Sequence, residues 1–191
     1  MKELVEAVRA HGIGIGTDIV KVDMFLNHRM DTALYVKIGQ AFAEEFLEKK
    51  PDLVLTVEAS GIAGALTTAI ACGNIPVVFA KKSPTRNVTG DVYESRVFSF
   101  THGVENHIRV AKQYLPEGSK VLIVDDFLAN GEAAEGLCDL CRQAGAEVIG
   151  IGVCVEKSFQ PGHQKLVEAG YHVKALAKVT GIEDGKLMVE D

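Results

Sequence analysis

The chain has 191 residues, of which 47% are hydrophobic and 24% charged, which are ordinary proportions for a globular protein. Its length predicts a single domain over residues 1–191. The net charge of −6 argues against a nucleic-acid surface, which needs clustered Lys and Arg, although a local anion site remains compatible with it.

The first half of the chain alternates between helical and strand patterns. In chain order, it predicts an amphipathic helix at 1–9, a glycine-rich loop at 12–16, a short strand at 17–23, a helix at 31–49, a strand at 53–57, a helix ending at Cys72 and a strand at 76–80. The chain opens on charged residues rather than on a secretory pattern, so a cytoplasmic location is expected. Residues 59–80 are uncharged, but Gly73 and Pro76 interrupt them, which leaves a helix too short to cross a bilayer.

The second half continues the alternation. It predicts a polar segment at 81–95, a hairpin strand at 93–101, a helix or irregular stretch up to Gln113, a buried strand at 121–124, a helix at 130–144 and strands at 148–155 and 171–177. Nearly continuous apolar strands separated by helices are typical of parallel sheets. We therefore expect an α/β fold with a central, mainly parallel, twisted sheet covered by helices on both faces.

The most informative segment is the buried strand at 121–124 together with the residues directly after it. Asp125 and Asp126 come immediately after four apolar residues, and a short loop then leads into a helix. The loop amides and the positive helix end favour a phosphate, while the carboxylates can accept hydrogen bonds from vicinal hydroxyls. A solvated acidic loop is the alternative, but adjacent like charges are unfavourable unless ligand groups or a cation compensate them. The segment predicts a phosphoribose site.

Other unusual sequences also follow predicted strands. They are Glu58 to Gly61, the pair Lys81 and Lys82, and Glu156 to Phe159. In open α/β sheets ligands bind beyond the carboxyl ends of the strands, so these segments are expected to converge with the acidic pair.

The cysteines are Cys72, Cys138, Cys141 and Cys154. Only Cys138 and Cys141 have a metal-like spacing, and no second pair of ligands accompanies them, whereas a structural zinc site needs four. Reduced, buried thiols are the better interpretation. His28, His102 and His107 are scattered, and none of them is predicted to bind a metal.

The segment at 121–134 resembles the phosphoribosyl pyrophosphate (PRPP) motif of type I phosphoribosyltransferases. The blocks 21–28, 58–62, 79–82, 125–132 and 156–162 resemble, in order, the xanthine branch of that family. The resemblance implies a hood built from about 1–35 and about 156–191, a mobile loop at about 82–100 and a homodimer. It also implies transfer of the 5-phosphoribosyl group from PRPP to N9 of xanthine, with Mg²⁺ bound mainly through PRPP or pyrophosphate.

The resemblance assigns roles to individual residues. Asp125 and Asp126 are expected to be catalytic, by binding the ribose hydroxyls and stabilising positive charge on the sugar. Those expected to bind PRPP are Ala129, Asn130, Gly131, Glu132, Ala133, Ser60, Gly61 and Lys81. Those expected to bind xanthine are Val20, Asn27, Lys157 and Phe159. No residue is expected to bind the metal directly, and no general base is assigned.

Several of these positions have a simpler interpretation. Ser60 can be a helix cap, Lys81 a solvated lysine or one that serves a neighbouring subunit, Phe159 a core residue and Asn27 a turn residue. The loop at 129–133 lacks the hydroxyls that are usual in the superfamily, so phosphate contacts shift to backbone amides, and the Glu132 carboxylate must point away. Alternative functions are a transferase that prefers guanine or hypoxanthine, a PRPP-sensing regulator without catalysis, and a general nucleotide-binding module.

Overall fold

The computed structural model describes residues 1–82, 90–99 and 104–190. The α-helices in these ranges are α1 (Lys2–His11), α2 (Thr32–Phe46), α3 (Gly61–Ala71), α4 (Glu132–Ala144) and α5 (Gly162–Glu168). The strands are β1 (Ile13–Ile15), β2 (Ile19–Lys21), β3 (Leu53–Val57), β4 (Val77–Ala80), β5 (Val92–Ser99), β6 (Val104–Ala111), β7 (Lys120–Leu128), β8 (Glu147–Lys157), β9 (Val173–Glu183) and β10 (Lys186–Val189). A π-helical turn spans Asp23–Asn27, and 3-10 turns span Leu47–Lys49 and Lys112–Tyr114.

A six-stranded sheet in the order β10-β9-β8-β7-β3-β4 forms the centre of the fold. Every neighbouring pair is parallel except β9 and β10, which are antiparallel. The hairpins β1-β2 and β5-β6 form two separate two-stranded sheets. The predicted mainly parallel α/β fold is confirmed.

Helices cover both faces of the central sheet, and each face has its own core. One core includes Leu4, Ile38 and Phe42 from α1 and α2, and the other includes Leu137 and Leu166 from α4 and α5. Full burial of such side chains contributes roughly 1.5–3 kcal/mol each. Both faces of the middle strands are therefore buried, which is why their sequences are continuously apolar.

Two glycines in β8 allow α2 to lie close to the sheet. A Cβ at Gly152 would come within 2.7 Å of the Phe42 ring, and one at Gly150 would collide with the Phe46 ring. The aromatic side chains of α2 thus occupy the space that side chains of β8 would otherwise fill. This packing fixes α2 and the turn before it, which carries Asn27.

The N-terminal and C-terminal segments contact each other. The Gly14 amide donates to the Gly185 carbonyl over 2.9 Å, and a Cβ at Gly14 would collide with Ile182 on β9. These contacts join the two segments predicted to form a hood. That they act as a hood stays a prediction.

Several predicted elements differ from the structure. The loop at 12–16 contains β1, which pairs with β2, and the stretch before Gln113 is strand β6 instead of a helix. In β6, Ile108 and Val110 are buried while Arg109 pairs with Glu94 on the other face, so the period is two. The predicted helix at 31–49 ends its α-helical part at Phe46. Helix α5 and strand β10 were not predicted.

The predicted mobile loop at about 82–100 falls partly outside the described residues. Residues 83–89 and 100 of it are not described, while 92–99 form strand β5, in agreement with the predicted hairpin strand as far as residue 99. Among the described residues, no helix combines the length and apolarity that crossing a membrane requires.

Candidate functional site

The predicted site segments converge at the carboxyl ends of β3, β7 and β8. From β3 the chain moves outward to β4, whereas from β7 it moves outward in the opposite direction to β8 and then β9. Adjacent strands whose connections leave in opposite directions open a crevice at their carboxyl ends, where ligands of α/β proteins bind. Asp125 and Asp126 of β7 lie next to this crevice.

The acidic pair lies inside β7 instead of after it, because the strand continues to Leu128. Asp125 pairs with Val153 of β8, whereas the pairing of β7 with β3 ends at Ile123. Each carboxylate residue is only 7% exposed, so the solvated acidic loop does not describe them.

Burial and mutual repulsion dominate the electrostatics of the pair. Burial raises the pKa of Asp125 well above 3.8, and the charge of Asp126 raises it further, whereas Lys82 acts in the opposite direction. The Asp126 amide donates to Asp125 Oδ1 over 2.9 Å. Asn27 Nδ2 donates to Asp126 Oδ2 over 3.0 Å, across 99 positions of sequence. Two like charges held together in this way are suited to a ligand that brings hydroxyl donors or positive charge.

Tyr35 supports the turn that carries Asn27. Its hydroxyl donates to the Leu26 carbonyl over 2.8 Å, and its side chain is buried. Burial raises the pKa of Tyr35, and the negative charge of the acidic pair adds to the effect, so the hydroxyl remains a donor. No sequence pattern connects Tyr35 with the site, because the aromatic ring fits the apolar face of α2 equally well.

The start of α3 packs tightly against the acidic pair. A Cβ at Gly61 would lie 2.5 Å from Asp125 Oδ1 and would collide with Thr56 Oγ1, so only glycine fits. The Thr56 hydroxyl is buried and has no hydrogen-bond partner within the described structure. Ser60 occupies the N-cap position, but its side chain makes no capping hydrogen bond. The Ser60 hydroxyl is therefore not used by α3 itself.

The two predicted lysines face different surroundings. Lys81 Nζ lies 5.9 Å from the centroid of the Phe79 ring, and its backbone bridges to Arg109 of β6. The Lys82 amide donates to Glu58 Oε1 over 2.7 Å, and its charge acts on Asp125. Lys82, whose charge lowers the pKa of Asp125, was not among the residues expected to bind PRPP, and the role of Lys81 stays a prediction.

The loop at 129–133 begins α4 and is held by the start of α5. Gly131 caps α4 with a φ of 98°, in the left-handed region that favours glycine. The Gly162 amide donates to the Ala129 carbonyl over 3.0 Å, and Lys165 Nζ donates to the Asn130 carbonyl over 3.1 Å. A Cβ at Gly162 would lie 2.7 Å from the Gly131 nitrogen, so the two loops are in direct contact.

Two side chains around the start of α4 are methyl groups, and a third lies against β5. Ala129 and Ala133 are small, and Glu132 lines a groove shared with Ser95 and Val97 of β5. One Glu132 carboxylate oxygen is buried there without a partner among the described residues. This position agrees with the expectation that the carboxylate turns away from a phosphate, although its role stays a prediction.

The four predicted base-binding residues lie on three segments, which are β2, the π-helical turn and the end of β8 with the turn after it. Val20 of β2 is 8% exposed, and Phe159 is 36% exposed, which argues against a core role for that ring. Lys157, at the end of β8, donates from Nζ to the Asp18 carbonyl over 2.7 Å, and burial lowers its pKa. Asn27 is the member that touches the acidic pair directly.

One buried carboxylate was not assigned a role from the sequence. Glu156 is 3% exposed and accepts a hydrogen bond from Ser158 Oγ over 2.7 Å. Its second oxygen lies 2.8 Å from His163 Nδ1. The available signal was an acidic residue at the end of an apolar strand, as for Asp125, but the sequence could not show that His163 folds back onto it.

The cysteines carry no disulfide, and one of them, Cys154, lies close enough to the acidic pair for the charges of Asp125 and Asp126 to help burial raise its pKa. All four cysteines are buried and unpaired, and burial raises the pKa of Cys138 to about 11 and that of Cys141 to about 12. In the described ranges no group of three or more His, Cys, Asp or Glu side chains is placed to hold a metal ion.

Comparison with known proteins gives concordant results. A phosphoribosyl transferase domain model matches residues 29–175. A xanthine phosphoribosyltransferase of Ruminiclostridium cellulolyticum is 48% identical over 98% of this chain and 98% of its own length. One from Bifidobacterium adolescentis is 49% identical over 96% of this chain and 95% of its own.

Solved structures share the fold. An APRTase from Giardia lamblia superposes with a TM-score of 0.75 at 19% identity, covering 92% of this chain and 97% of its own. An adenine phosphoribosyltransferase from Rhodothermus marinus superposes with a TM-score of 0.72 at 20% identity, covering 94% of this chain and 100% of its own.

Proposed function

Because this chain belongs to the phosphoribosyl transferase domain family, we propose that it transfers the 5-phosphoribosyl group of PRPP to N9 of xanthine. The products are xanthosine 5′-monophosphate and pyrophosphate. The structural observation that carries the proposal is the buried pair Asp125 and Asp126, with Asp126 accepting a hydrogen bond from Asn27.

The acidic pair suits the charge that develops during transfer. Pyrophosphate leaves C1 of the ribose with the electrons of the C–O bond, and positive charge builds on the sugar before N9 supplies a new electron pair. Asp125 and Asp126 would accept hydrogen bonds from the ribose hydroxyls and stabilise this charge. A preformed negative field in a buried crevice stabilises the transition state more than the neutral ground state.

Helix N-termini suit the two phosphate ends of PRPP. Backbone amides at the start of α4, at Ala129 to Ala133, would hold the 5′-phosphate, with support from the Asn130 side chain. Ser60 and Gly61 at the start of α3 would bind the pyrophosphate, and the unused Ser60 hydroxyl supports this role. Lys82 would add positive charge, and Lys81 would do so from a neighbouring subunit.

The base pocket would recognise xanthine through hydrogen-bond donors. Xanthine presents two exocyclic oxygens, and Lys157 Nζ and the second Asn27 Nδ2 hydrogen are donors that can meet them. Phe159, exposed at the turn after β8, would stack on the purine, and Val20 would line its edge. A base without matching oxygens would leave these donors unpaired, which gives discrimination.

Mg²⁺ would be a cofactor carried by the substrate, held mainly through oxygens of PRPP or pyrophosphate and through waters, because this ion usually keeps several waters and uses few protein ligands. The buried negative charge of Asp125 and Asp126 is compatible with a cation nearby. When bound, the ion would neutralise the charge of the departing pyrophosphate.

We also propose a cytoplasmic homodimer. Strand β4 is at the edge of the described sheet, where Phe79 is 40% exposed, and the neighbouring Tyr114 is 59% exposed, so an apolar surface is available for a second copy. Four unpaired buried cysteines suit a reducing compartment. The molecular mass by light scattering tests the first point, with a monomer at micromolar concentration contradicting it.

Purified protein with Mg²⁺ and PRPP, offered xanthine, guanine, hypoxanthine, adenine and orotate separately, tests the proposed function. Xanthine should give the highest kcat/KM, and omission of Mg²⁺ should abolish turnover. A preference for guanine or hypoxanthine would replace the base assignment by the nearest alternative. Product from adenine or orotate alone would reject it, and PRPP binding without any product would favour a PRPP-sensing regulator.

A further inference from the structure

Glu156 and its two partners connect the base side of the candidate site with the phosphate side. The Glu156 carboxylate is almost fully buried at the end of β8, directly before Lys157. Each of its oxygens has one partner, Ser158 Oγ at 2.7 Å and His163 Nδ1 at 2.8 Å. An ionised carboxylate only accepts hydrogen bonds, so both partners donate to it.

Ser158 lies on the base side. It is flanked by Lys157 and Phe159, and its backbone amide donates to the Val179 carbonyl over 2.8 Å. The bond from its hydroxyl to Glu156 fixes the direction in which the chain leaves β8. The orientation of Phe159 therefore depends on this bond as well as on its own surroundings.

His163 lies on the phosphate side. It belongs to the first turn of α5, next to Gly162, whose amide holds the Ala129 carbonyl and whose Cα lies against Gly131. The bond from His163 to Glu156 fixes the start of α5 against the end of β8. Through Gly162, it also fixes the position of the loop at 129–131.

We propose that Glu156 is a positioning residue that sets the base pocket and the 5′-phosphate loop in one geometry, through Ser158 on one side and His163 on the other. This inference rests on the proposed function for what the two sides bind. It predicts that the contributions of the two partners can be separated: Ser158 governs affinity for the base, His163 governs affinity for PRPP, and Glu156 governs both.

Steady-state kinetics of Glu156→Gln, Ser158→Ala and His163→Ala tests the proposal, with the exposed Glu168→Gln in α5 as the matched control. A hydrogen bond to a charged group corresponds to about tenfold or more in affinity. Glu156→Gln should raise the KM for xanthine and for PRPP by about this factor, with a smaller change in kcat. Ser158→Ala should raise mainly the xanthine KM, and His163→Ala mainly the PRPP KM. Glu168→Gln should change neither.

PRPP affinity measured directly by calorimetry separates this proposal from the proposed function. Weaker PRPP binding in His163→Ala and Glu156→Gln supports the phosphate side of the connection even if xanthine is not the acceptor base. Unchanged KM values and PRPP affinity in Glu156→Gln, with only a lower melting temperature, would overturn it. If Glu156→Gln does not fold, Ser158→Ala and His163→Ala test the proposal instead, because the side chains they remove are partly exposed and their loss should not unfold the protein. Equal effects of each variant on the KM for xanthine and for PRPP, or no effect on either, would overturn the proposal.

Discussion

Replacing Asp126 by Asn should move stability and activity in opposite directions. The two side chains have the same shape, and an amide oxygen at position 126 can still accept the hydrogen bond from Asn27 Nδ2 that is 3.0 Å long in the wild type. The substitution therefore removes one negative charge from a buried pair and little else. The Asp125 carboxylate remains, with the amide of residue 126 still able to donate to it.

The stability of the variant should depend on pH in a defined direction. Burial and the charge of Asp126 raise the pKa of Asp125 in the folded state. Protonation of Asp125 therefore favours the folded state. This contribution to stability is complete below pH 3.8, the ordinary pKa of the group, and is lost as the pH rises through the raised pKa. Without the charge at 126, the pKa of Asp125 is raised less and less stability is lost. The variant should be more stable than the wild type at neutral pH by about 1 kcal/mol, the usual size of a single-substitution effect, and the gain should disappear in acid.

Activity should fall by about 100-fold or more, because a preorganised charge facing the transition state contributes on the order of 3 kcal/mol. Urea denaturation between pH 4 and 8 and initial rates with xanthine measure the two effects. Asp184→Asn is the control, since it removes a charge from an exposed turn with a φ of 48°, which Asn tolerates. A variant that loses stability together with activity, or that retains full activity, would refute the reasoning.

Three further substitutions test the surroundings of the acidic pair. Gly61→Ala should cost about 1–3 kcal/mol of stability and most of the activity, because the new Cβ would lie 2.5 Å from a carboxylate oxygen of Asp125. Gly64→Ala in the same helix is the control, since the nearest atom to its Cβ is 3.5 Å away, and it should change neither stability nor activity. Urea denaturation and initial rates measure both effects. Asn27→Ala should raise the KM for PRPP as well as for xanthine, since it removes a donor from the ribose carboxylates; a change in xanthine KM alone would contradict this. Lys82→Ala should weaken PRPP binding measured by calorimetry more than Lys81→Ala does, because the charge of Lys82 lowers the pKa of Asp125 whereas Lys81 Nζ lies over the Phe79 ring. The reverse order would contradict this reasoning.

Much of the central fold could be predicted because the signal is local. The strands at 53–57, 121–124 and 148–155 are continuous apolar runs, and burial on both faces of a parallel sheet requires that pattern. Strand β6 was missed because it is covered on one face only, so Arg109 and its neighbours alternate with the apolar residues. The short strand β1 depends on a contact between Gly14 and Gly185, which no local pattern reveals.

The residues of the candidate site also divide into those visible in a local sequence pattern and those brought together by tertiary contacts. Asp125 and Asp126 follow an apolar strand, so their chemistry is visible in consecutive residues. The hydrogen bond from Asn27 spans 99 positions, and the contact of His163 with Glu156 depends on how a turn folds back. The difference between Lys81 and Lys82 is set by which way each side chain leaves the end of β4. Such features come from tertiary packing, and only the structure supplies them.

The arrangement of the central strands has a consequence for synthesis of the protein. Strand β7 is flanked by β3, made earlier, and by β8, made later, and residues 156–162 complete the surroundings of the phosphate loop. A nascent chain that has emerged only as far as α4 lacks one wall of the crevice. We therefore expect PRPP to protect the growing chain from proteolysis only after α5 has left the ribosome. The onset of this protection would mark the stage of synthesis at which the crevice is complete.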